Sequence, residues 1–290
     1  MVDRISGKTI AITGAARGIG YATARALLEH GATVVIGDRD VTALDTAVAQ
    51  LSALGSVSGH PLDVTDPASF AAFLDLARTD GDGNIDVLIN NAGVMPIGPF
   101  LEQSDETIRT AAEVNFHGVL TGCRLILPEM VQRGRGHIVN IASLAGVMAV
   151  PGQVVYAGTK FAVVGLSTAM ADEFAPHGVD VTVVMPPFTN TELIAGTRQT
   201  GASRPVEPTA IAAAIVKTLN KPKTHVTVPS GIRVALALVG LLGPRGRRWV
   251  HRRTGSDRLF LDFDTTARKS YEARASNAIG IEAATGGNTA

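Results

Sequence analysis

The sequence predicts an α/β protein: a doubly wound, seven-stranded parallel sheet with helices on both faces. Three observations carry that reading. Short β-rich runs alternate with longer Ala-rich segments of helical period through residues 1–230, the pattern of parallel strands joined by crossover helices. The strand-like runs are rich in Val, Ile and Ala, as strands covered on both faces require. A glycine-rich turn follows the first run and opens directly into a helical segment, where backbone N–H groups are left to meet an anion.

Strands are expected at 8–13 (KTIAIT), 32–37 (ATVVIG), 56–62 (SVSGHPL), 85–90 (IDVLIN), 137–142 (HIVNIA), 179–185 (VDVTVVM) and 225–229 (HVTVP). Helical periodicity occupies the segments near 18–30, 41–54, 67–79, 104–132, 154–175 and 208–220. Pro67 after Asp66 and Pro208 after Glu207 suit first-turn positions. Pro176 and Gly178 close the helix that begins near Val154. Residues 1–230 read as one catalytic domain. Residues 231–275 read as an extension, nearly all apolar from 231 to 243 with Arg233 as the interruption, and then basic, with Arg245, Arg247, Arg248, Arg252 and Arg253. Residues 276–290 are small and polar, and disorder is expected there.

Composition narrows the function. Of 290 residues, 46% are apolar, enough for a sizeable core. The formal net charge is zero, so no global field points to nucleic acid. The single cysteine, Cys123, has no internal partner and fits a reducing, cytoplasmic setting as a buried thiol. No basic-then-apolar leader opens the chain, and no apolar run approaches the ~20 residues of a membrane span. No metal-ligating set is expected.

The chemistry concentrates in a few positions. Tyr156 and Lys160 are four residues apart, so on a helix they share one face. A tyrosine titrates near pH ~10, and a neighbouring ammonium favours phenolate. Moving that value to around 7 takes roughly 4 kcal/mol. Ser143, thirteen residues earlier, is a hydroxyl able to orient a substrate oxygen. The turn Thr13-Gly14-Ala15-Ala16-Arg17-Gly18-Ile19-Gly20 between first strand and first helix is a phosphate cradle by position. Asp38, at the end of the second strand, is placed to accept hydrogen bonds from ribose hydroxyls and to repel a 2′-phosphate. That favours NAD. Arg17 and Arg39 are cations able to reach such a phosphate, which leaves NADP open.

Taken together these motifs resemble the short-chain dehydrogenase/reductase family. The matching positions are TGAARGIG at 13–20, Asp63-Val64, Asn90-Asn91-Ala92-Gly93, Asn115, Ser143, and Tyr156 with Lys160. They run in the family's order from residue 7 to about 230. The resemblance implies a Rossmann-type fold and an NAD(P)-dependent oxidoreductase that interconverts a secondary alcohol and a ketone or aldehyde. It implies Tyr156 as acid/base, Lys160 as the group that lowers the tyrosine pKa and holds the nicotinamide ribose, and Ser143 as the oxygen-orienting hydroxyl. It implies Asn115 as the residue that keeps a relay water. Gly14, Arg17, Gly18, Ile19, Gly20, Asp38 and Arg39 would hold the adenosine and pyrophosphate half. Asp63 and Val64 would flank the adenine. Asn90, Ala92 and Gly93 would pass the ribose, and for Asn91 a structural role is equally open. Pro186, Thr189 and Thr191 match positions beside the nicotinamide. Pro187 departs from the family, which has glycine there.

The substrate is less specified. Val147, Met148, Val150 and Val154 beside Ser143, with Leu193 and Ile194 in the variable loop, suggest an apolar wall. A steroid, retinoid or lipid-like alcohol is expected over a sugar. An NADPH-dependent carbonyl or 3-oxoacyl reductase is the alternative enzyme. A silent, cofactor-sensing protein is the alternative of another class. The segment 231–258 suits either peripheral membrane contact or packing on the domain or a second subunit. The resemblance implies a homodimer or homotetramer through the helices at 104–132 and 154–175.

Overall fold

Strand β1 (Thr9–Thr13) is buried along its whole length, because a central parallel strand has helices over both faces. The computed structural model describes residues 4–197, 205–230, 232 and 242–277. The other strands are β2 (Thr33–Asp38), β3 (Val57–Pro61), β4 (Val87–Asn90), β5 (Gly136–Ile141), β6 (Val179–Met185) and β7 (His225–Thr227). They form one parallel sheet in the order β3-β2-β1-β4-β5-β6-β7. Winding reverses between β1 and β4, which pair Ile10 with Val87 and Ile12 with Ile89. The loops leaving these two strands diverge there and open a crevice.

Helices α1 (Gly18–Glu29), α2 (Val41–Leu51) and α7 (Pro208–Asn220) cover one face, closing a core of Leu27, Leu44, Leu51, Ile211 and Ile215. Helices α3 (Pro67–Asp80), α5 (Gly118–Arg133) and α6 (Val154–Phe174) cover the other, around Phe70, Phe73, Leu88, Ile126 and Val163. Each fully buried Phe or Leu contributes about 1.5–3 kcal/mol. Asp40 and Asp66 cap α2 and α3 through their side chains, onto Ala43 and Ala68. Cys123 is buried on α5, hydrogen-bonded with Asn90 and Asn140, and its thiol is pushed up to about 12 by burial.

The helix expected over 104–132 is not continuous. It is α4 (Asp105–Ala112), a π turn at Glu113–His117, and then α5. The π turn carries Asn115 into the interior, where its amide closes a two-way bond with the backbone of Val94. An insertion of this kind is a frequent mark of functional positions.

Helix α6, with its terminal turn to His177, is long and apolar enough to cross a membrane by length and composition, contrary to the expectation that no run qualifies. Its apolarity has another cause. One face of α6 lies in the core, and it holds Tyr156, Lys160 and Ser167 buried. Beyond β7, α8 (Pro244–Thr254) and α9 (Thr265–Asn277) fold back over the crevice end of the domain. Residues 231 and 233–241, most of the apolar stretch on which the idea of membrane contact chiefly rests, lie outside the described residues. Helix α9 runs two residues past the expected start of the disordered tail. Residues 278–290 lie outside the described residues.

Candidate active site

Tyr156 and Lys160 sit in the first two turns of α6, 6% and 4% exposed, with the ammonium 5.7 Å from the centre of the phenol ring. Lys160 Nζ donates to the Ile141 carbonyl at the end of β5. Ser143 follows that strand and caps a short 3-10 turn by accepting from Ala145 N–H. Its hydroxyl adjoins the Tyr156 phenol and favours the ionised form of it. Three elements therefore converge: the mouth of β5, the turn after it, and the start of α6. A phenol, a hydroxyl and an ammonium on one wall form a set able to move a proton to or from an oxygen between Ser143 and Tyr156.

The electrostatics differ from the expectation that Lys160 brings the phenol toward neutrality. Burial pushes Tyr156 up to about 12; the neighbouring Ser143 hydroxyl opposes the rise and Tyr271 adds to it. Burial also pulls Lys160 down to about 8. Desolvation disfavours both charged forms, and with its pKa drawn down to about 8 the Lys160 amine is increasingly neutral above that pH, where it supplies no charge to favour phenolate.

Asn115 does not line the cavity. Its Oδ1 accepts from Val94 N–H at 2.8 Å, and its Nδ2 donates to Val94 O and to Thr159 Oγ1. It ties the π turn to the loop after β4 and to α6. A Cβ on Gly93 would stand 3.2 Å from Asn115 Oδ1 and 3.5 Å from Lys160 Nζ, so these groups meet across that glycine.

The other half of the cavity is the crevice of the sheet. Gly14 has φ +63, and a Cβ there would stand 2.7 Å from Ala92 Cα. Gly14→Ala is therefore expected to destabilise the fold by about 2 kcal/mol or more, read as a lowered midpoint of thermal unfolding. Gly18 has φ +59, and a Cβ there would press on the Thr191 methyl at 3.3 Å. Gly18 starts α1 behind Arg17, which makes no side-chain cap, so free N–H groups face the cavity. Gly14, Arg17, Gly18 and Ile19 line it; Gly20 lies behind, against Gly14 O and the Asn91 amide. Asn91 is structural in this geometry: its Nδ2 donates to Thr13 O and Gly14 O. Asn90 is buried behind the cavity and donates to Asn140 Oδ1, while Ala92 and Gly93 line it.

Asp38 ends β2 on the cavity wall and accepts from Ala16 N–H and Asp40 N–H. Arg17 is paired with Asp40 at 2.5 Å and with Glu192 at 3.4 Å, and Arg39 with Asp63 at 3.6 Å. Asp63 also accepts from Thr65, and Val64 backs Gly118. Pro187 brings no break: Pro186 O accepts from Leu144 N–H, Pro187 O accepts from Thr189 Oγ1, and Thr189 bridges to Val206. Pro186, Thr189 and Thr191 all line the cavity.

The cavity is about 1410 Å³, larger than the ~300–1,000 Å³ usual for a single ligand. Its glycine cradle, uncapped helix start and Asp38 fit a dinucleotide, and the remaining space borders Ser143 and Tyr156. Sequence reasoning missed Gln153, Met95, Leu259, Phe260 and Tyr271, which line that remaining space. The run Leu259-Phe260-Leu261 inside a basic, polar extension was the available signal.

The short chain dehydrogenase family model matches residues 8–202. Oxidoreductase UcpA of Escherichia coli K12 is 35% identical over 224 residues, 75% of this chain and 82% of that one. The 2,5-dichloro-2,5-cyclohexadiene-1,4-diol dehydrogenase LinX of Sphingobium indicum is 38% identical over 196 residues, 67% of this chain and 78% of that one. A Burkholderia phymatum short chain dehydrogenase/reductase solved in complex with NAD superposes with a TM-score of 0.74 at 27% identity, over 82% of this chain and 94% of that chain.

Proposed function

The chain belongs to the short-chain dehydrogenase/reductase family, an NAD(P)-using oxidoreductase of CH–OH groups, and from that premise we propose that it interconverts an apolar secondary alcohol and its ketone with NAD. One observation carries the reading: Ser143, Tyr156 and Lys160 border the same cavity as the glycine cradle at Gly14 and Gly18. A bound nicotinamide supplies the hydride acceptor or donor. Ser143 holds the substrate oxygen. Tyr156 gives that oxygen a proton in reduction and takes it in oxidation. Lys160 supplies positive charge beside the phenol and a donor toward the cofactor ribose. Asn115 holds the loop carrying Gly93 and Val94 against α6, which supports a relay behind Lys160.

The preference for NAD rests on Asp38 and on both nearby arginines being engaged with carboxylates. Asp38→Ser is expected to raise the affinity for NADPH relative to NADH on the order of a hundredfold, by removing charge repulsion on a 2′-phosphate. Fluorescence titration of both nucleotides measures it, and an unchanged ratio removes Asp38 from the selection. Val150, Leu193 and Ile194 on the cavity wall support an apolar substrate. The exposed Val154 and Phe161 of α6, with Phe100 and Leu101 ahead of α4, support a homodimer or homotetramer through these helices. The 1–230 catalytic domain is extended here by α8 and α9, which complete its cavity. Turnover of 2-octanol with NAD⁺, and of 2-octanone with NADH, tests the activity directly.

A further inference from the structure

The residues of the C-terminal extension nearest Tyr156 are not loosely apposed. Leu259 and Phe260 are buried in one apolar cluster with Tyr156, Met95 and Ile97. Phe260 stacks on Phe188, the residue after Pro187, with ring centres 5.2 Å apart and planes within 15°. Three glycines of the domain make room for the segment. A Cβ on Gly152 would stand 2.8 Å from the Phe260 carbonyl carbon, one on Gly98 would stand 3.2 Å from the Phe263 ring, and one on Gly196 would meet the Asp264 carbonyl.

Arg268 fastens this arrangement. It is 1% exposed, and burying a guanidinium costs free energy unless its donors are satisfied. Its Nη1 donates to Leu193 O at 3.0 Å and Ala195 O at 3.1 Å, and its Nη2 donates to Met95 O. Its Nε stands 3.1 Å from Glu272, an ion pair outside hydrogen-bond geometry. The guanidinium also lies 4.6 Å from the centre of the Tyr271 ring. Tyr271 lines the cavity and accepts from Met95 N–H through its hydroxyl at 2.7 Å. One buried cation thus joins the loop after β4, the loop after β6 and α9, the three segments that surround the space beside Ser143 and Tyr156.

We propose that Leu259, Phe260 and Tyr271 form a specificity-determining wall of the substrate half of the cavity, held in place by Arg268 as a positioning residue, and that this wall selects hydrophobic alcohols and ketones. The inference rests on the oxidoreductase reading and adds to it the residues that choose the substrate. A wall of this kind rewards each methylene that leaves water against it.

The test uses the full-length protein with NAD⁺ and the ketones 2-butanone, 2-hexanone and 2-octanone, a combination that binds without turning over. Calorimetric affinity is expected to rise about three- to fourfold per methylene in the native protein. Phe260→Ala and Leu259→Ala are expected to flatten that series while leaving NAD⁺ affinity unchanged. Arg268→Met is expected to weaken 2-octanone about tenfold, again with NAD⁺ unaffected, and Arg268→Lys to restore part of the loss. If Arg268→Met does not fold, the two wall variants decide alone. A native series without a gradient, or a gradient that survives Phe260→Ala and Leu259→Ala, overturns the proposal. A gradient with no reduction of 2-octanone by NADH upholds the wall and counts against the oxidoreductase reading instead.

Discussion

Tyr156→Phe is expected to lower turnover by about 10²- to 10⁴-fold, the range of a lost general acid/base, while NADH affinity and fold stability stay near native. Phe keeps the ring that packs with Ala145, Ala157 and Phe260 and removes only the hydroxyl beside Ser143. The direction of pH dependence follows from burial. With the phenol pushed up to about 12, the acid needed for ketone reduction is present across pH 6–9, so kcat/KM for reduction is expected to be level there. The base needed for alcohol oxidation is scarce in the free enzyme, so kcat/KM for oxidation is expected to climb about tenfold per pH unit over the same range. Steady-state rates in both directions on native protein and Tyr156→Phe check this. A variant with near-native kcat removes Tyr156 from the chemistry. A level oxidation profile places the proton-accepting step on another group.

The sheet and the cradle were legible because their signals are local. Alternating apolar runs set β1 to β7, and glycine is favoured at Gly14 and Gly18 because the backbone takes positive φ in the turn between β1 and α1. Tyr156, Lys160 and Ser143 were legible as residue types at a helical spacing and a fixed approach to it. The π turn at Asn115 was not, since one inserted residue inside an apolar helical pattern leaves no periodic trace. Nor was the burial that raises Tyr156, because the groups that close over it come from residues 259–271, about a hundred positions away in sequence. Tertiary closure of that range is invisible to spacing. Composition marked the extension as separate from the domain but said nothing of which surface it covers. Arg268 shows why: a cation in a polar helix reads as solvent-facing until three carbonyls from two loops are found around it.

Lys160 is expected to make the protein's stability rise with pH between about 8 and 10.5, and Lys160→Met to abolish that rise. The sign follows from proton counting. Burial lowers the folded-state pKa to about 8 from 10.5. Between those values the unfolded chain binds the proton and the folded chain does not, so ΔG of unfolding grows with pH. Below pH 8 the penalty is fully present, because a charged ammonium sits in the interior and donates to the backbone at Ile141 O. The shift corresponds to about 3 kcal/mol over the window. Tyr156 and Cys123 also bear on alkaline stability, both with raised pKa values that act in the opposite direction, so the measurement is the difference between native protein and Lys160→Met. Urea midpoints from pH 7.5 to 10 in the absence of cofactor supply it, and parallel curves would mean that the ammonium is solvated after all. A fold under selection for stability alone would carry an apolar residue here. A lysine that destabilises the free protein near neutral pH, beside a phenol and a cavity shaped for a dinucleotide, is the arrangement expected when the charge is needed only once cofactor and substrate are in place.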